Sequence, residues 1–305
     1  MCTSITYHTI DNYCFLARTM DYDITIPKQL LLIPRAYCWH KAENRVTKYA
    51  ILGMGMRLAN KVGLYDGVNE KGLMCATLMF EDTVYSPRHP DKDNVSTCDF
   101  VMWMLSQFDS VEDVVRNLNR INLIFGSIPP LLDACALHWI VSDLTHRTIV
   151  IEKTDRLKVY ENPYSTLTNE PGFGEQIEHY QRYRCVDPFR ESRGLPGDFS
   201  SQSRFVRAAY CRAAIDDVSG EADGLTNSLK ILDTLQVQKG VDCDRESGPS
   251  YTQYTSCICG NSLTYYYNTY ENRQLSAVCL AREKLNAKQI KVFPVNDRQS
   301  ICKQN

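Results

Sequence analysis

Along most of the chain, apolar and polar residues alternate in short runs bounded by turn residues, the two-residue period of a half-buried strand. "SITYHTI", "CFLAR", "QLLLIPR", "YAILGMG", "GLMCATLMF", "LHWIVSD", "TIVIEK", "LKVYE", "LTYYYNTY" and "LSAVCLA" all read this way. Two stretches carry the helical period instead. The first runs from Thr97 to Ile121; inside it Ser110 stands as an N-cap with Asp113 three residues on, and Val111, Val114, Val115, Leu118 and Ile121 share a face. The second covers Ser203 to Asp217 and Leu225 to Leu235. Strand blocks separated by helix blocks predict an α+β fold, two antiparallel sheets with a helical layer outside each, rather than alternating βαβ units. No Gly/Ser-rich or Pro-rich linker and no repeat divides the chain, so residues 2–305 are expected to form one domain.

Composition narrows the function classes. A 305-residue chain with 44% hydrophobic and 23% charged residues can bury a sizeable core. Net charge is -2, from 34 Lys+Arg against 36 Asp+Glu, without a basic block, which argues against a nucleic-acid partner. No apolar run approaches the roughly 18 residues of a membrane span. The stretch TSITYHTIDNY behind Met-Cys is too polar for a signal-peptide core, so a cytoplasmic protein is expected. The 13 cysteines are then expected to be reduced thiols, several in apolar surroundings such as Cys75 and Cys279. Cys257 and Cys259 point the same way on a strand but lack the further ligands a zinc site needs, so neither metal nor cofactor is expected. His138, in "LHWIVSD", reads as a strand residue without a catalytic role.

Candidate chemistry starts at the second residue. Methionine is usually trimmed before a small side chain, and Cys2 would then carry a nucleophilic sulfur and a free α-amine together. Such an amine, with a pKa of roughly 7.7–8.0, can take the thiol proton and return it without any histidine. Arg18 and Asp21 lie near the end of the next strand, and a hairpin across the turn "DNY" returns them beside positions 2 to 4. A guanidinium there favours thiolate, and a carboxylate would orient the ammonium. Asn169, after a short strand and before Pro-Gly, is a candidate oxyanion donor. On their own, Ser203 reads as a helix cap and Arg204 as a solvated charge at a helix start.

The order and wording of these blocks, "MCT", "FLARTMDY", "GMG", "DGVNEKGLM", "TNEPGF", "GLPGDFSSQSRF", "YTQYTSCIC" and "YYYNTYEN", resemble the choloylglycine hydrolase family of conjugated bile acid hydrolases and penicillin V acylases. The resemblance runs from Cys2 to about Leu280. It implies an N-terminal-nucleophile hydrolase with an αββα four-layer fold and amide hydrolysis through a thioester acyl-enzyme. Residue by residue it implies Cys2 as nucleophile and, through its amine, base, with Arg18 and Asp21 as neighbours, Asn169 as oxyanion donor and Arg204 completing the polar network. Two departures stand out. Bile acid hydrolases carry Asn, and penicillin V acylases Tyr, where this chain has Met79, so one oxyanion contact is either missing or made by a backbone N–H. The segment between Asn169 and "GLPGDF" is short and lacks the Gly-rich stretch that crosses subunits in family tetramers, so the expected homo-oligomer is a tetramer by family or a dimer.

The implied substrate is a small-molecule amide with a large apolar acyl group, so a hydrophobic cleft is expected. Its candidate walls are Met20, Tyr22 and Ile24, the loop at 56–65, Met79, and the segment 127–135 with Leu131 and Leu132. "ARTMDY", "YDGVNEKGLM" and "PPL" look closer to penicillin V acylases, "HWIVSD" and "YTQYTSCIC" to bile acid hydrolases. Conjugated bile acids are the first reading, penicillin V the second and N-acyl homoserine lactones the third. A degenerate ligand-binding member, motivated by Met79, and a thiol-rich metal or redox sensor, motivated by the cysteines, are the non-enzymatic alternatives.

Overall fold

The computed structural model describes residues 1–58, 61–126, 136–183, 194–244 and 248–305. Among these residues the strands assemble into two large antiparallel sheets. In the first, β1 (Cys2–His8) and β2 (Cys14–Tyr22) form the predicted hairpin, with Cys2 opposite Met20 and Ser4 opposite Arg18. The short strand Thr166–Leu167 flanks β1, and Gly248–Cys259, Thr264–Thr269 and Ser276–Cys279 follow β2. The second sheet runs Leu157–Glu161, Thr148–Lys153, Leu137–Ser142, Met74–Met79, Lys61–Asn69, Ile51–Leu58, Gln29–Ile33, Lys291–Phe293.

Three apolar interiors make this a stack of four layers. Leu16, Leu30, Leu52, Val68, Ile140 and Tyr254 pack between the sheets. Helices α1 (Phe100–Gln107) and α2 (Val111–Asn117) cover the outer face of the second sheet over Leu31, Cys75, Trp139 and Ile151. Beyond α3 (Phe173–Gln181), helices α4 (Ser201–Ala214) and α5 (Glu221–Asp233) cover the outer face of the first sheet over Ile5, Phe15, Ala17 and Cys257. Strand alternation sorts the residues. Even positions of β2 (Leu16, Met20) face the other sheet, and odd ones (Phe15, Ala17) face the helices.

The α+β expectation and most strands match. The first helical block is divided, as the Ser110 cap implies: the Ser110 hydroxyl accepts from the Asp113 N–H at 3.2 Å and starts α2. Helix α4 begins earlier than expected, with Ser200 as its cap accepting from the Ser203 N–H, while the Ser203 hydroxyl donates to Asp198 at 2.7 Å. The clearest correction is at 56–65, read as a loop. Ile51–Leu58 and Lys61–Asn69 are paired strands there, with a bulge between Met54 and Gly55 that leaves Tyr65 as the extra residue. Glycine is required at that crossing. A Cβ on Gly55 would sit 2.1 Å from the Gly63 carbonyl oxygen, and one on Gly53 2.4 Å from that of Asp66. Residues 184–193, on which the assembly expectation bears, and 127–135, with Leu131 and Leu132, lie outside the described residues.

Candidate active site

Hairpin register places the thiol. Arg18 shares the inter-sheet face of β2 with Met20, and its Nη2 donates to the Cys2 Sγ at 2.9 Å. Arg18 is fully buried, and its remaining donors are anchored: Nη1 to the carbonyls of Thr77 at 2.8 Å and Tyr65 at 3.3 Å, Nε to Thr19 O at 3.3 Å. Tyr65 is the bulged residue, outside the sheet register, and its carbonyl turns to Arg18. A second bulge, between Thr252 and Tyr254 on the strand beside β2, brings the Thr252 hydroxyl to the Asp21 carboxylate at 2.5 Å. The motifs "GMG" and "YTQY" thus mark the places where each sheet is kinked around the site.

Behind Arg18 lies a charge group that the sequence reading did not single out. Asp66 Oδ2 stands 3.7 Å from Arg18 Nη1, and the carboxylate accepts from the phenols of Tyr254, at 2.7 Å, and Tyr265. All four side chains are buried. Burial by itself would lower the pKa of Arg18, but Cys2, Tyr254, Asp66 and Tyr265 together raise it above the ordinary guanidinium value. Burial pushes the Asp66 carboxyl up, against the pull of Arg18 and the two phenols. Arg18 therefore faces the thiol as a permanent cation in a low-dielectric setting. The available signal was a carboxylate inside the strand "KVGLYDGVN", but its glycines and aspartate read as turn residues.

Asn169 joins the two halves of the site. Its Oδ1 accepts from the Cys2 N–H at 2.7 Å and from Arg204 Nη2 at 2.8 Å, and its Nδ2 donates to the Met79 carbonyl at 2.9 Å. Two obligate donors on one end and an obligate acceptor on the other fix the amide orientation, leaving one Nδ2 hydrogen unused. Arg204 is buried, not solvated: it also donates to the Cys2 carbonyl and, at 2.8 Å, to the Thr3 hydroxyl. Burial lowers its pKa, while Asp21 and Cys2 counteract this. His138 lies among these elements as a packed residue, its ring nitrogens on Glu152 at 3.1 Å and the Thr168 carbonyl at 2.7 Å, which secures the backbone just before Asn169.

Asp21 sits one residue beyond Met20 and so turns its carboxylate to the helix side, where the Thr19 and Thr252 hydroxyls hold it. Its backbone, not its side chain, meets the chain start: Met1 N donates to Asp21 O at 3.0 Å, and Asp21 N donates to Met1 O at 3.1 Å.

Met79 answers the question its side chain raised. The Phe80 N–H bonds Ala136 O at 2.9 Å, so alternation makes Leu78 and Phe80 the partners of Leu137–Ser142 and turns the N–H and C=O of Thr77 and Met79 to the opposite edge. Both carbonyls on that edge accept from the site, Thr77 from Arg18 and Met79 from Asn169. The Met79 N–H shares this direction. An oxyanion donor at this position can thus be backbone, which no side chain alters. Replacing Met79 by Asn is therefore expected to change kcat by much less than the about 10²–10³-fold attached to an oxyanion donor. Steady-state kinetics on a conjugated bile acid checks this, and a rise of that size would show that the side-chain donor had been missing.

Beside Cys2 opens a cavity. Pairing of Lys61–Asn69 with Met74–Met79 extends from Val68 and Met74 to Asp66 and Ala76 and goes no further. The cavity lies in this fork, between Leu64 and Tyr65 on one side and Thr77, Leu78 and Met79 on the other. Met20, Tyr22 and Ile26 line it from the β2 side. Ile24, an expected wall, is 45% exposed and takes no part, because β2 ends at Tyr22 and the strand alternation ends with it. The free volume is about 80 Å³, and flexible side chains such as Met20 and Met79 form part of its wall.

The family model of linear amide C–N hydrolases of the choloylglycine hydrolase type matches residues 2–293. The chain is 34% identical to a bile salt hydrolase/transferase of Clostridium perfringens, covering 99% of both chains. It is likewise 34% identical to one of Lactiplantibacillus plantarum, covering 97% of both. A solved structure of the C2A mutant of conjugated bile acid hydrolase from Clostridium perfringens superposes with a TM-score of 0.92 over 100% of both chains at 32% identity. Penicillin V acylase from Agrobacterium tumefaciens shares the fold, with a TM-score of 0.82 at 20% identity over 95% of this chain and 90% of that one. The chain belongs to the choloylglycine hydrolase family of linear amide C–N hydrolases.

Proposed function

We propose that this protein hydrolyses the amide bond of glycine- or taurine-conjugated bile acids, with Cys2 as nucleophile. The observation that carries the mechanism is the buried Arg18 guanidinium on the Cys2 sulfur, beside a Cys2 nitrogen already oriented by Asn169. Full-length similarity to bile salt hydrolases supports the substrate.

Cleavage of the bond before Cys2 turns its peptide nitrogen into an amine. One amine hydrogen keeps the Asn169 bond, and the lone pair takes the thiol proton. The thiolate attacks the substrate carbonyl, and the resulting oxyanion is met by the Met79 N–H and the unused Nδ2 hydrogen of Asn169. The protonated amine then hands its proton to the leaving nitrogen, giving the thioester and free glycine or taurine. Water, deprotonated by the same amine, releases the bile acid. Arg204 and Asp21 hold the backbone and charge balance around the amine.

The small free volume of the cavity favours one second reading, a smaller acyl group such as the phenoxyacetyl of penicillin V. Mass-spectrometric product analysis with glycocholate, taurocholate and penicillin V separates the two. Release of cholate supports the proposal, selective release of phenoxyacetate replaces it, and no product from any of them leaves a ligand-binding protein. Processing gives an independent check. Protein that keeps Met1 should be inactive, since the amine is then an amide and Met1 is strand-paired with Asp21. Intact-mass measurement alongside activity decides it, and full turnover by Met1-bearing protein would remove the amine from the mechanism.

A further inference from the structure

The cavity is mostly apolar, yet two threonines line it, and their hydroxyls are buried without any hydrogen-bond partner among the described residues: Thr77 Oγ1 and Thr97 Oγ1. Thr97 is 1% exposed and Thr77 9%. Apart from Thr255, whose buried hydroxyl also lacks a partner among the described residues but lies outside this cavity, several other threonines bond a nearby carbonyl. Thr83 donates to Phe80 O at 2.9 Å, Thr226 to Ala222 O at 2.9 Å and Thr234 to Ile231 O at 2.8 Å. Thr97 opens the turn before α1, and its hydroxyl is orphaned among the described residues.

A buried hydroxyl without a partner costs stability, and valine would fill the same volume at no such cost. The other polar groups of the wall are engaged: the Tyr65 phenol donates to Pro27 O at 3.1 Å. Position adds to the argument. Thr77 belongs to the strand edge that forms the fork, while Thr97 comes from the turn ahead of α1, which packs on the outer face of the second sheet. The Thr77 carbonyl meets Arg18, but its side chain shares the face of Trp139, opposite to Ala76 and Leu78, so both threonines stand on the helix side of the fork, where the acyl group's remote part would lie when its carbonyl is at Cys2.

We propose that Thr77 and Thr97 form a hydroxyl-recognition subsite, so that preferred substrates carry a hydroxyl on the part of the acyl group remote from the scissile amide. Rotation about the Cα–Cβ bond exchanges each threonine methyl for its hydroxyl at the cavity wall, and a ligand hydroxyl then serves as donor to one and acceptor from the other. The inference rests on the cavity being the acyl site of the proposed hydrolase.

The test uses glycocholate and the glycine conjugate of hydroxyl-free 5β-cholanic acid, which differ only in ring hydroxyls, with the wild type and the Thr77→Val/Thr97→Val variant. Wild-type kcat/KM should favour glycocholate by about tenfold or more, the worth of one well-made hydrogen bond, and the variant should bring the ratio close to one. The variant should also melt no lower than the wild type, because it loses no hydrogen bond. An unchanged ratio in the folded variant overturns the inference. Calorimetric binding of cholate and 5β-cholanic acid to the Cys2→Ala protein, with and without the two valines, gives the same contrast without turnover. A threonine-dependent preference there, with neither conjugate hydrolysed, would keep the subsite and reject the hydrolase reading; no preference would reject the subsite whether or not hydrolysis occurs.

Discussion

Cys2→Ala is expected to remove amide hydrolysis altogether while the protein keeps its fold and its melting temperature. The substitution deletes one sulfur at the edge of the cavity. The contacts that hold β1 are made by the Cys2 backbone, with its N–H on Asn169 and its carbonyl on Arg204, and survive. What remains is an aligned oxyanion site and an amine with nothing to activate. In triad enzymes, removing the nucleophile leaves about 10³–10⁴-fold catalysis over water, far below turnover. Cys2→Ser should fall nearly as far, since a hydroxyl is much harder than a thiol to ionise, even beside Arg18. Rapid acid quenching of the wild type with glycocholate should trap a protein mass increased by one choloyl group, and the Cys2→Ala protein should show none. Undiminished release of cholate by the alanine variant would dismiss the thioester route.

The resemblance of the blocks taken together, not local pattern, singled out Cys2, Arg18, Asp21, Asn169 and Arg204, since alone each reads as an ordinary strand, turn or helix-start residue. Their surroundings were less legible. Arg204 alone reads as a solvated charge, and only the packing of α4 on β1 reveals that it is buried. Asp66 was missed for the same physical reason that 56–65 was read as a loop. Gly67, with Gly53 and Gly55 on the neighbouring strand, lets two backbones approach, and in sequence such glycines look like turn residues. Ile24 failed as a wall because alternation was extended past the end of β2. Which hydroxyls lack partners depends on contacts between distant segments, and no local period carries that information.

Asp66→Leu is expected to lower unfolding free energy by about 3–5 kcal/mol, the usual result of leaving a buried charge without its partner. Arg18 would stay fully buried, charged and held by carbonyls, while the phenols of Tyr254 and Tyr265 would lose their acceptor. The loss should appear as a lower urea midpoint with an unchanged slope. Combining it with Arg18→Leu should cost less than the sum of the two single losses, since the second change removes the charge the first left uncompensated; a coupling of about 0.5–3 kcal/mol is expected for groups in one network. The separation of 3.7 Å between Arg18 and Asp66 makes this a charge pair rather than a close hydrogen bond, so the double-mutant cycle is the measurement that matters. Strict additivity would mean that the two phenols alone justify Asp66. Non-additivity would tie the cation facing Cys2 to a carboxylate on the opposite sheet, so that the guanidinium is held against the sulfur only while the two sheets are packed together.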